Sequence, residues 1–196
     1  ILVVAQRYGF CHLLGKWGFR ERFERAAADG KAGQAVARGE SVAAVAQQRG
    51  IETDTAIGTL VIKACEGPAI QEALRAGRPL AEIAQRHGIH TQVGQACLRW
   101  EAVRSVGTAK VRQGHPVAAI VKEYGIEDWL HEVMRLEDIA IEGPAGDAVH
   151  RDMPANEAAK HFGVTTERGI SALENIAIGA HAGKEVRAGE SVERVA

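Results

Sequence analysis

"VAAVAQQRGI" (residues 42–51) returns as "LAEIAQRHGI" (80–89) and as "VAAIVKEYGI" (117–126), and a fainter copy stands at "NEAAKHFGV" (156–164). The chain opens on the same phrase, "ILVVAQRYGF" (1–10). The glycines closing the five occurrences, Gly9, Gly50, Gly88, Gly125 and Gly163, are 41, 38, 37 and 38 residues apart. Five residues before each stands Val4, Val45, Ile83, Ile120 or Ala158; directly after each stands Phe10, Ile51, Ile89, Ile126 or Val164. A fixed period of this length marks one small supersecondary unit used repeatedly along a chain.

Further columns lie upstream. Gly39, Gly77, Gly114 and Gly189 share one position, with Asp152 in their place in the fourth unit; three residues earlier come Val36, Leu74, Val111, Val149 and Val186. Two residues after that column are Ser41, Pro79, Pro116, Pro154 and Ser191, residues suited to a helix start because neither needs an internal backbone donor there. Each unit therefore reads as three short helices, placed in the second unit at 68–76, 79–87 and 91–104. Leu80, Ile83 and Ala84 give the second helix its half-buried i, i+3, i+4 stripe. "EGPA" at 66–69 and 142–145 ends one unit with glycine and opens the next with proline.

Helices this short cannot bury their apolar faces without neighbouring units, which is the logic of an α-solenoid. The expected fold is all-α, a right-handed or similarly twisted superhelix of three-helix repeats of about 37–38 residues. It forms a single array over 1–196: a partial unit 1–30, units at about 31–67, 68–106, 107–143 and 144–180, and a partial unit 181–196. Because both ends fall inside a phrase, the expectation is a fragment of a longer protein. In the third unit the leucine of "WLHEVMRLEDIA" is one position late relative to Leu60, Leu98 and Leu173, which calls for a local adjustment of the third helix. The first unit is longer and carries Trp17, Phe19 and Phe23, read as packing residues at an irregular junction.

Composition narrows the function classes. The 46% apolar and 25% charged residues are those of a globular chain, with only 5% aromatics. There is no apolar run near the membrane-spanning length, so no membrane partner is expected. The net charge of −1 supplies no general field for nucleic acid or anionic lipid. Cys11, Cys65 and Cys97 are scattered and odd in number, pointing to free thiols in a reducing, intracellular compartment.

The stretch from Gly39 to Val61 resembles the helix-turn-helix core, with Ser41, Val42, Val45 and Ala46 before the Gly50-Ile51 corner. That resemblance implies a second helix able to enter the major groove. The would-be recognition helices argue against it: 52–63, 90–101, 127–138 and 165–176 carry −1, 0, −4 and −1, a total of −6. Arg7, Arg49, Arg86, Lys122 and Lys160 point the other way. They sit at the ends of the second helices among Gln6, Gln47 and Gln85, and form a candidate phosphate-contact stripe. In this respect the array is similar to the transcription activator-like effectors of plant-pathogenic bacteria, from which it departs in period and phrase. The Ala-, Gly- and Arg-rich composition likewise resembles bacterial effector repeat arrays, which implies delivery into a host cell.

No catalytic constellation emerges. His87 and His90 flank Gly88 with Cys97 on the next helix, but no further ligand recurs, so these read as solvated corner histidines and no metal is assigned. Glu132 and Glu137 read as charges on a solvated helix face. "GKEVRAGES" (183–191) lacks the phosphate-loop spacing. The expectation is a non-enzymatic scaffold without cofactor. Its expected partner is a protein, contacted through Trp100 and Trp129, with nucleic acid on the basic stripe as the alternative.

Overall fold

Ser41 opens the helix that the quoted phrase builds. Its backbone is extended and its hydroxyl accepts from the Ala44 N–H; eight residues of α-helix follow, and Gly50 closes them at φ +63°. The computed structural model describes residues 19–195, and among these there is helix and turn but no strand. The chain divides into two compact units, Ile1–Ala102 and Val103–Ala196.

In the first unit α1 (Phe19–Asp29), α2 (Lys31–Ala37), α3 (Val42–Arg49) and α4 (Asp54–Glu66) are followed by α5 (Pro68–Arg75), α6 (Leu80–Arg86) and α7 (Gln92–Ala102). The second holds α8 (Thr108–Arg112), α9 (Val117–Tyr124), α10 (Leu130–Ile141) and α11 (Pro144–His150), then α12 (Ala155–Phe162), α13 (Glu167–Ala177), α14 (Gly183–Arg187) and α15 (Val192–Val195). Where "EGPA" stands, Pro68 and Pro144 occupy the first helical turn; the preceding helix ends at Glu66 in the first case and at Ile141 in the second. Where that proline is missing, the junction is π-helical instead, at Val103–Gly107 and Ile178–Ala182. Without proline nothing forces a break, and the backbone loosens its turn rather than ending it.

The long helices stack. In the first unit α4 packs on α1, α2 and α7; in the second α13 packs on α10, α11 and α12. Leu60, Leu98, Leu136 and Leu173 are fully buried between them, each worth roughly 1.5–3 kcal/mol of transfer from water. The late leucine of the third unit has its cause in the corner rather than in the helix. α10 begins five residues after Gly125, whereas α4, α7 and α13 begin four residues after their glycines. Trp129 fills the extra place, its N–H donating to the Ile126 carbonyl at 2.9 Å. Asp152 takes φ +74°, so the backbone keeps the left-handed turn even where the glycine of that column is replaced. Phe19 and Phe23 are half-buried on α1 with ring centroids 5.9 Å apart; Trp17 lies outside the described residues.

Candidate functional site

Each corner joins a second helix to a third, and two corners are fastened by a buried carboxylate from an earlier helix. Glu24 on α1 is 1% exposed. Its Oε2 accepts from the backbone N–H of Glu52 at 2.8 Å and of Thr53 at 2.6 Å, the donors at the start of α4. Its Oε1 accepts from Arg20 Nε at 2.6 Å. Burial alone would raise this carboxyl, but the Thr53 and Glu52 amides and Arg20 together hold it below the ordinary range.

Glu137 on α10, also 1% exposed, does the same work at the start of α13. Oε1 accepts from Thr165 N–H at 2.6 Å and Thr166 N–H at 3.0 Å, and the Thr166 hydroxyl donates to Oε2. That hydroxyl in turn accepts from Gly169 N–H at 3.1 Å. A Cβ on Gly169 would come within 2.7 Å of Glu137 Oε2. In both joints the carboxylate reaches amides 28 and 29 residues ahead. A helix start leaves such amides unpaired and carries partial positive charge, so a buried anion is well placed there. At the Gly88 corner, one of the two that lie between, Ile62 stands 28 residues before His90, and Thr91 caps the helix itself by accepting from Gly94 N–H at 3.0 Å. The solvated-face reading of Glu137 is thereby corrected: it shares the inward face with Val133, Leu136 and Ala140.

The closing glycines make a second kind of contact. Gly88 lies against the start of α3, where a Cβ would meet Ser41 Oγ at 2.1 Å, and Val42 N–H donates to the His87 carbonyl at 2.9 Å. Gly163 lies against the start of α9, where a Cβ would meet Ala118 N at 2.7 Å. His87 is 5% exposed, not the solvated corner histidine expected from sequence. Tyr124 and Phe162 hold the corresponding inward place before Gly125 and Gly163, also buried. Burial and the neighbouring Arg86 lower the His87 pKa. His90 is exposed.

Beside the second helices run open grooves. In the first unit one of about 310 Å³ is lined by Leu80, Ala81, Ala84 and Ile89, with Gln85 and His90 on its polar side. In the second unit one of about 320 Å³ is lined by Val117, Ala118, Val121 and Val133, with Lys122 and Glu127 on its polar side. Leu80, Ala81, Ala84, Gln85 and His90 each stand 37 residues before their counterparts in the other groove. The residue inside each corner is buried (Ile51, Ile89, Ile126, Val164), while the next, Glu52, His90, Glu127 or Thr165, is exposed.

Of the candidate stripe, Arg49, Arg86, Lys122 and Lys160 are all exposed, and Arg7 lies outside the described residues. They stand one, two, three and three residues before their glycines, so they do not share one register. Trp100 and Trp129 are half-buried. Burial, chiefly, pushes the Cys65 thiol up to about 12 and raises Cys97 as well, which leaves neither a ready thiolate. Cys11 lies outside the described residues. Among the described residues no group of three His, Cys, Asp or Glu side chains is placed to hold a metal ion, and no helix is long and apolar enough to cross a membrane. No protein-family model, curated protein or solved structure matches the chain.

Proposed function

We propose that the chain is a non-enzymatic scaffold, an α-helical superhelix of three-helix units whose ligand is a protein. The observation that carries this reading is the pair of grooves set 37 residues apart in sequence, with matching apolar floors and different polar sides. One offers glutamine, histidine and arginine, the other lysine, glutamate and threonine. A surface that keeps its shape while varying its chemistry suits the successive side chains of a protein partner. Each groove is at the small end of the volumes ligand sites occupy. A displayed library of random peptides, selected on the immobilised chain, tests this. Selected peptides should bind about tenfold or more weakly once Ala118→Trp or Ala81→Trp fills a groove. Peptides indifferent to both variants would remove the grooves as the binding surface.

Nucleic acid is the second reading, favoured by the exposure of Arg49, Arg86, Lys122 and Lys160, none of which is held in an ion pair among the described residues. Their differing registers spread them over roughly 200° of helix circumference, at about 100° per residue, which suits a single phosphate line poorly. Fluorescence anisotropy with random-sequence duplex DNA separates the two readings. Binding that falls steeply with salt, and less steeply after Lys122→Ala with Lys160→Ala, would favour nucleic acid. Absence of binding at low salt leaves the protein reading.

A further inference from the structure

A pocket of about 490 Å³ lies between α5, α6 and the turn that follows α2. Gly39 comes from that turn, Glu72 from α5, and Glu82 and Arg86 from α6; Arg78 stands between the two helices and His87 just after α6. The pocket uses the other face of α6 from the groove lined by Leu80, Ala81 and Ala84, and shares no residue with either groove.

Packing does not explain His87. The residue is 5% exposed and, among the described residues, its ring makes no hydrogen bond, yet neither ring nitrogen is sealed from the surface. Larger rings, Tyr124 and Phe162, fill the same place in the following units. Burial and Arg86 keep this imidazole neutral at pH 7, so it holds out one N–H and one bare nitrogen. A buried polar group left unpaired costs stability, and a partner for it is therefore the thing to look for.

The charges around it are selective. Arg78 and Glu82 neutralise each other at 3.0 Å. Glu72 and Arg86 are exposed and held in no ion pair among the described residues. The corresponding places hold Ala109, Glu123 and Tyr124 in the next unit and Asp147, His161 and Phe162 in the one after. The packing columns persist while this set does not, so packing does not require it.

We propose that the pocket binds a short peptide with both ends free, its terminal carboxylate on Arg86, its terminal ammonium on Glu72 and a backbone amide on the His87 ring. The guanidinium fork matches a carboxylate. A ligand without net charge suits a lining of two arginines, two glutamates and a neutral histidine. The volume lies within the range that ligand sites occupy. The site goes beyond the groove reading and does not depend on it.

The experiment is titration of the full ¹⁵N-labelled chain with trialanine at pH 7, followed through the imidazole ¹H–¹⁵N correlations. The His87 signals are those missing from His87→Phe, a variant that carries the ring found before Gly163. Saturable movement of those signals is expected, with Kd raised about tenfold or more by Arg86→Gln and by Glu72→Gln. Both variants change exposed side chains, and circular dichroism checks that their helices persist. Acetylated, amidated trialanine should leave the signals in place. His87 signals unmoved by trialanine would overturn the proposal and leave the ring to solvent. Equal movement with the blocked peptide, or an affinity that either variant leaves unchanged, would overturn it too.

Discussion

Glu137 sits four residues after Val133 on an apolar stripe, where a carboxylate costs several kcal/mol to desolvate unless its lone pairs are taken. Two backbone amides and the hydroxyls of Thr165 and Thr166 take them. Glu137→Gln keeps the shape and an oxygen for the amides of Thr165 and Thr166, but removes the charge and the oxygen that accepts from the Thr166 hydroxyl. It should cost about 1.5–3 kcal/mol in urea denaturation; a change within experimental error would show that the joint carries no stability. Part of this was legible. Valine, leucine, glutamate and alanine at 133, 136, 137 and 140 share one helix face, and that spacing alone flags the glutamate as inward. The amides it reaches are 28 and 29 residues ahead, a pairing that no periodicity exposes. Asp152 is the opposite case: its column, otherwise glycine, marked it from sequence, and it takes φ +74°. Asp152→Gly should stabilise the chain by up to about 1 kcal/mol by relieving the left-handed strain, measured as a raised denaturation midpoint.

At the scale of the element, the second helices and their closing glycines were the most legible feature, because capping serine, stripe and glycine agree. The π-helical junctions were not, since they follow from a proline that is missing rather than from a residue that is present. The longer corner before α10 was legible only as a displaced leucine. Gly163 serves two purposes, a φ of +65° and contact with the α9 start. Gly163→Ala should therefore cost clearly more than the roughly 1–2 kcal/mol expected from φ alone, whereas Gly50→Ala, with open space around its Cβ position, should cost only that. Equal losses would show the close approach to be soft. His87 gives its joint a pH dependence. Its folded pKa lies below 6.5, so as pH falls through 6.5 the unfolded chain takes up a proton that the folded one resists. Stability from this group is fully present above 6.5 and declines toward the folded value. Replacing it by the residue found before Gly163, His87→Phe, should flatten the difference in denaturation midpoint between about pH 5 and about pH 7.5.

Across the described residues the same two fastenings appear once in each of the two compact units, a carboxylate reaching the start of a later helix and a glycine pressed on the start of an earlier one. Such contacts are between neighbours in sequence order, so stability should behave as a sum over local pieces. Which exposed positions do the binding was not legible, because packing constrains the buried columns and leaves Glu52, His90, Glu127 and Thr165 free to differ. The most direct test is equilibrium urea denaturation of residues 1–102 alone beside the full chain. A nearest-neighbour array predicts that this piece keeps its helical circular dichroism and unfolds cooperatively, with a denaturant slope about half that of the whole. A piece that is unfolded in buffer would contradict the account, because its helices would then depend on contacts distributed over the entire chain.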